Sequence, residues 1–268
     1  MTKKKTPPPE RHAATKTVTS QILSTLKDIE KRHDVTILYA CESGSRAWGF
    51  ESPDSDYDVR FLYMHPLKWY LRIEQERDVI EVPRDKDMDI NGWELRKALQ
   101  LLRRSNPTLL EWLDSPVIYH ENSPFAEKLR TLGPEFFSPV RGRNHYLSMA
   151  RRNFRGFVHA DTVRYKKYFY VLRPLLAVRW IDTRNTMPPT RFLTLLDGTI
   201  SDPELLSEIK NLMELKAHAR ETAVGPAQPC LHTFIEEEFA IMNVIPGDKG
   251  VPTGAEVLDR LFADTVLT

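Results

Sequence analysis

The stretch YACESGSRAWGFESPDSDYDVRFLY, residues 39–63, sets a small-residue turn at Gly44 and Ser45 ahead of three aspartates spaced two apart, Asp54, Asp56 and Asp58. VTILYA before the turn is β-branched and apolar, which predicts a buried strand running into it. YDVRFLYM after it alternates and predicts a second strand. On that strand Asp56 and Asp58 leave the same face about 7 Å apart, close enough to share divalent cations. Carboxylates that close repel unless metal or solvent screens them. A calcium loop is excluded, because Val59 stands where the sixth position needs glycine and His65 where the twelfth needs glutamate. Taken alone, the row also reads as a polar loop whose aspartates cap turns and face water. The Gly-Ser turn shifts the balance. It gives backbone N–H groups room to approach a phosphate, with the serine hydroxyl as a further donor. GSRAWGF lacks the ending of a P-loop, and the chain holds no GxGxxG fingerprint. A phosphate-cradling turn beside a DxD row predicts a nucleoside triphosphate held against two divalent metals.

Working outward, Ile22, Leu23, Leu26 and Ile29 have helical period ahead of VTILYA, and DVIEVP and DMDI predict a third and a short fourth strand. NGWELRKALQLLRR then switches to period 3.6, with Leu95, Ala98, Leu99 and Leu102 on one stripe. Trp93 falls one turn into that helix, as core or as a shelf for a base. Strand signals fade beyond residue 120. NHYLSMARRNFRGFV, DTVRYKKYFYVLRPLLAVRWI and DPELLSEIKNLMELKAHARE read as helices, with Pro174 expected to kink the second. The chain past Gly225 is rich in Pro and Gly up to a short helix near GAEVLDRLFA. The expected organisation is a basic arm over residues 1–16, an α/β domain over 17–135 and an all-helical domain over 136–268. The arm carries five basic residues and three consecutive prolines with almost nothing apolar, so it cannot offset the entropy of ordering.

At 268 residues and 41% hydrophobic content, the chain can bury one generous core or two modest ones. A formal net charge of +1 means that any attraction to polyanions comes from local clustering. One such cluster lies between Arg141 and Arg173, with nine Lys or Arg residues against one acid, Asp161, and with Tyr146, Phe154, Tyr165 and Tyr168 among them. It is a candidate wall for triphosphate or RNA backbone, or else a solvated basic face. Lys167 and Arg173 are the candidate nucleotide contacts. Six residues apart, they lie on opposite sides of one helix unless Pro174 bends it, and Lys167 is the first choice. Phe169, Leu172 and Leu176 form an apolar stripe. Two distant cysteines, Cys41 and Cys230, fit a reducing compartment without a structural disulfide. None of the eight histidines pairs at metal spacing with another His or a Cys, which disfavours a zinc hydrolase. No apolar run approaches a membrane span, and the expectation is a soluble cytoplasmic protein.

Gly44-Ser45, ten intervening residues and Asp56-Tyr57-Asp58-Val59 resemble the signature of the DNA polymerase β-like nucleotidyltransferase superfamily, which also uses a third carboxylate on a later strand. The strings GSRAWGFESPDSDYDVRFLY, DINGWELRKALQLLRRSNPTLLEWLDSPVIY and KKYFYVLRPLLAVRW further resemble its YcgL-like branch, the RlaP-type polymerase β family linked by name to RNA repair. The resemblance implies an α+β fold, a mixed-sheet palm domain with flanking helices followed by an all-helical domain. It implies that Asp56 and Asp58 hold both metals and that Asp89 holds the catalytic one and helps deprotonate an attacking hydroxyl. Asp87 shares Asp89's face and stays an alternative. Gly44 and Ser45 would cradle the β and γ phosphates, with Arg46 as a partner or as a solvated loop arginine. An all-aspartate site suits Mg2+, two ions, with Mn2+ as a substitute. The implied activity transfers a nucleoside monophosphate from an NTP to a hydroxyl, an RNA 3′ end first, releasing pyrophosphate. The alternatives are a protein or small-molecule acceptor, or a silent nucleic-acid-binding module.

Overall fold

The protein is described from a computed structural model that covers residues 11–74, 76–83, 87–155, 162–242 and 254–268, without the side chains of residues 11–16. Helix α1 (Arg11–His33) leads into β1 (Thr36–Glu42), a one-turn helix α2 (Gly44–Trp48) and β2 (Tyr57–Met64). After the short α3 (Leu67–Tyr70) come β3 (Val79–Glu81) and β4 (Met88–Glu94), then α4 (Leu95–Arg103), α5 (Pro107–Leu113) and β5 (Ile118–Glu121). The strands form one mixed sheet in the order β3-β4-β2-β1-β5. β2 and β4 run parallel, and the other neighbours are antiparallel. The α+β class expected from the sequence is the one observed.

Each face of the sheet is covered. On one, Ile22, Leu26 and Ile29 of α1 meet Ile37, Val59, Phe61, Tyr63 and Ile90 in a compact cluster. The other face opens into a larger core that joins Leu38, Tyr39 and Leu62 to the helical half of the chain. That half holds α6 (Ser123–Leu132), α7 (Pro139–Arg155), the strand β6 (Thr162–Arg164), α8 (Tyr165–Arg184), α9 (Phe192–Thr199), α10 (Pro203–His218), the strand β7 (Val224–Pro226), α11 (Pro229–Ile241) and α12 (Ala255–Val266). β6 and β7 pair as a separate two-stranded ribbon. α8 is the spine, with Phe169, Val171, Leu172, Leu175, Leu176 and Val178 fully buried. α12 returns to the sheet domain, where Phe262 meets Tyr70 edge-on at 5.1 Å. Among the described residues no helix is long and apolar enough to cross a membrane.

Several elements depart from the sequence reading. Residues 11–16, expected within the arm, begin α1. The packed C-terminal part of that helix supplies the nucleus from which its earlier turns propagate. Residues 1–10 lie outside the described residues. NGWE continues β4 instead of opening a helix, because Gly92 and Trp93 sit in register with Phe61 and Leu62 of β2. Trp93 therefore lies on a strand, its ring 4.0 Å from that of Trp112. α8 begins at Tyr165, after the strand residues Thr162–Arg164. It runs through Pro174 without ending: the carbonyl of Tyr170, which loses its donor to the proline ring, accepts from Asn153 Nδ2 of α7 at 3.0 Å.

Candidate active site

β1 delivers the chain to the site at Glu42, after which Ser43 donates its N–H to the Asp58 carbonyl at 2.8 Å. Gly44 follows with φ +60°, a backbone conformation that side chains disfavour. A Cβ there would lie 2.0 Å from Asp58 Oδ2, so glycine lets the backbone press directly against this carboxylate. The expected turn is thus the first residue of α2, and Ser45 is buried behind it.

The parallel register of β2 and β4 sets Asp58 directly beside Asp89. Arg60 binds both carboxylates: its Nη2 donates to Asp58 Oδ1 at 3.2 Å and to Asp89 Oδ2 at 2.8 Å, and its Nη1 donates to the Asp89 carbonyl at 2.8 Å. Asn91 Nδ2 steadies Asp89 Oδ1 from the same strand at 2.6 Å. Asp87 is exposed and contributes its carbonyl to the Tyr57 N–H at 2.8 Å. Asp56 precedes β2, which starts at Tyr57. Arg46 anchors that approach. Its Nε donates to the Asp56 carbonyl at 3.1 Å and its Nη2 to the Ser55 carbonyl at 2.6 Å, while its guanidinium lies 3.8 Å from the Tyr57 ring centre. The expected phosphate partner thus braces the aspartate loop. Asp54, the first of the row, accepts the Glu221 N–H at 2.7 Å.

Glu42 was not anticipated from the sequence. It is 1% exposed beneath the site, where its Oε1 accepts the Asp58 N–H at 2.7 Å and its Oε2 accepts the Tyr119 hydroxyl. Burial pushes its pKa up to about 7, and the charge of Asp58 adds to this. Tyr170 of α8 feels the same carboxylates. Burial raises its pKa to about 12, and the charges of Asp58, Glu221 and Asp56 push the same way. Tyr170 also packs edge-on against Trp48 at 5.7 Å, which joins α8 to α2.

The basic candidates part company. Lys167 is half-buried in the first turn of α8. Arg173 is 1% exposed, 4.5 Å from the Trp48 ring, with Nη1 donating to Glu111 Oε1 at 3.0 Å. Its place in the core corrects the expectation of a ligand contact in a cleft, because Trp48 and Glu111 enclose it and Pro174 does not turn it outward. Lys166, the neighbour of Lys167, binds Glu221 Oε1 at 2.9 Å.

Among the described residues no three acidic, His or Cys side chains are gathered closely enough to hold a metal as one cluster. Asp58 and Asp89 nevertheless fit a hard cation. They are oxygen donors side by side on adjacent strands, and they already share one positive charge, that of Arg60. Period 2 from Asp58 could have flagged Arg60, whereas Glu42 gives no signal beyond an acid at the end of an apolar strand.

Comparison with known proteins identifies the family. The family described as "RlaP: RNA repair pathway DNA polymerase beta family" matches residues 18–264. "Uncharacterized protein YcgL" of Bacillus subtilis (strain 168) is 50% identical over 250 residues, 92% of this chain and 95% of its own. A solved nucleotidyltransferase-like protein from Exiguobacterium sibiricum 255-15 aligns over 92% of this chain and 76% of its own, at 13% identity and a TM-score of 0.30. With the family matched over residues 18–264, from within α1 to within α12, and half of 250 aligned residues shared with one relative, this chain belongs to the RNA repair pathway DNA polymerase β family.

Proposed function

We propose that the protein transfers a nucleoside monophosphate from an NTP to a hydroxyl acceptor, an RNA 3′ end, with release of pyrophosphate. One observation carries this reading: the β2–β4 register pairs Asp58 with Asp89, and the Gly44 backbone abuts Asp58. Asp58 and Asp89 would hold Mg2+ or Mn2+, with Asp56 at the mouth of the same loop as a further ligand for a second ion. The metal would supply positive charge where phosphoryl oxygens gain negative charge.

The chain's own residues account for the remaining tasks. Gly44 and Ser45 offer backbone next to the carboxylates for the phosphates, and Lys167 supplies a cation from α8. Asp89 would accept the proton of the attacking hydroxyl, its Oδ1 held by Asn91. Arg60 neutralises the carboxylate pair until a cation takes its place, which limits the repulsion of two adjacent acids. Glu42 holds the Asp58 backbone from below. RNA as acceptor is supported by the RNA repair description of the family.

The test incubates the protein with each radiolabelled NTP, Mg2+ and either RNA with a 3′ hydroxyl or a cell lysate. Label is expected in RNA, and Asp58→Asn is expected to lose at least a hundredfold of the rate while keeping its thermal midpoint. Label in protein would reassign the acceptor. Label in neither, unchanged by Asp56→Ala, would contradict the enzyme and leave a nucleic-acid-binding module.

A further inference from the structure

The inward stripe of α10 runs through Leu205, Ile209 and Leu212 and then reaches Lys216, where the period calls for an apolar side chain. Lys216 is 1% exposed, its ammonium 5.7 Å from the Phe50 ring centre. Burial lowers its pKa to about 8. Lys166 adds to the lowering, while the acids facing it, Glu221, Glu51 and Asp54, oppose it. A buried ammonium is costly to keep, and an apolar side chain of similar length would pack the helix as well. The position therefore calls for a polar role.

The hydrogen bonds supply one. Lys216 Nζ donates to Ser52 Oγ at 3.1 Å, and the Ser52 hydroxyl donates back to the Lys216 carbonyl at 3.2 Å. Ser52 and Ser55, 1% and 3% exposed, close on each other. The Ser52 N–H donates to Ser55 Oγ at 2.9 Å and the Ser55 N–H to the Ser52 carbonyl at 3.1 Å. The Ser55 and Asp56 carbonyls then accept from Arg46. A continuous chain of hydrogen bonds thus runs from α10 to the first residue of the DxD pair, buried as far as Ser55. The Glu221 N–H adds a second clasp on Asp54, just beyond the end of α10.

We infer that Lys216 is a positioning residue for the aspartate loop: through Ser52 and Ser55 it fixes the backbone leading into Asp56 and Asp58, so the helical half of the chain sets the cation affinity of the site. This rests on the reading of those aspartates as a cation site. Loop order and cation binding therefore need separate readouts.

The experiment measures Mn2+ affinity by electron paramagnetic resonance, and amide exchange at Ser52 and Ser55 by NMR. It uses the full chain and the variants Lys216→Met, Ser52→Ala and the double variant. Each single variant is expected to weaken Mn2+ binding about tenfold and to speed exchange of the backbone amides at positions 52 and 55 at least tenfold, with β1 and β4 unchanged. The double variant should also lose about tenfold, because both substitutions cut one connection. A hundredfold loss in the double, or Mn2+ affinity within twofold of the parent in folded Ser52→Ala, would overturn the inference. Should Lys216→Met fail to fold, Ser52→Ala alone decides by the same two readouts. Should the parent protein bind no Mn2+, the cation reading fails, and exchange alone judges the strut: a tenfold rise sustains it and no change rejects it.

Discussion

At the scale of single residues, the site depends on groups beneath and between the aspartates as much as on the aspartates. Glu42 lies under Asp58 with a pKa raised from 4.5 to about 7. The folded chain therefore holds this proton more tightly than the unfolded chain does. The stabilisation is complete below about pH 4.5, falls as pH rises and is gone above about pH 7, a span of about 3 kcal/mol. Glu42→Gln removes the titrating group but keeps an acceptor for the Asp58 N–H. Urea unfolding of both metal-free proteins across this range should show their stability difference changing by up to about 3 kcal/mol, with the parent losing ground as pH rises. A pH-independent difference would mean that folding leaves the Glu42 pKa unshifted. Asp56, Asp58 and Gly44 were legible in the sequence because spacing and small size are visible there. Glu42 and Arg60 were not singled out, since a strand-end acid acquires meaning only once β1 pairs with β2, and an alternating arginine only once β2 pairs with β4. Lys216 did carry a signal, a charge on an apolar stripe, but its partner Ser52 is 164 residues away.

At the scale of elements, the β2–β4 pairing carries the site. Gly92 makes the close approach of these strands workable: a Cβ on it would come within 2.2 Å of the Phe61 ring, its partner in register. Gly92→Ala should destabilise the protein by about 1–3 kcal/mol through overpacking. It should also weaken Mn2+ binding, because the Asp58–Asp89 pair lies three positions along the same two strands. Denaturant unfolding and a Mn2+ titration check both effects, and a change under 0.5 kcal/mol would show that Phe61 has room to move. The sequence reading ended this strand at Ile90 because WELRKAL has a helical stripe. The helix does form, but from Leu95, after the pairing with β2 has claimed residues 91–94. β5 and α9 went unread for a similar reason. Ile118–Glu121 is short and half polar, and it is a strand by virtue of its pairing with β1.

At the scale of the whole molecule, the domain boundary expected near residue 135 is bridged by the larger core, which joins sheet residues to α8 and α12. Arg173 and Glu111 tie α8 to α5, and Trp48 of α2 stacks on the same guanidinium. Calorimetry should accordingly record one cooperative transition, with calorimetric and van't Hoff enthalpies equal. Two separated transitions would show that the halves fold independently. The shared core was hidden from the sequence because periodicity reveals which face of a helix is apolar and leaves its partner unstated. The sheet and the helical half act on the site together, the first setting Asp58 against Asp89 and the second holding the loop that carries Asp56. The most direct test of that arrangement is the anomalous scattering of Mn2+ in crystals of the protein grown with a non-hydrolysable NTP. The account predicts a peak shared by the Asp58 and Asp89 carboxylates, with Arg60 displaced from at least one of them. Mn2+ density elsewhere, with Arg60 still bridging both aspartates, would contradict it.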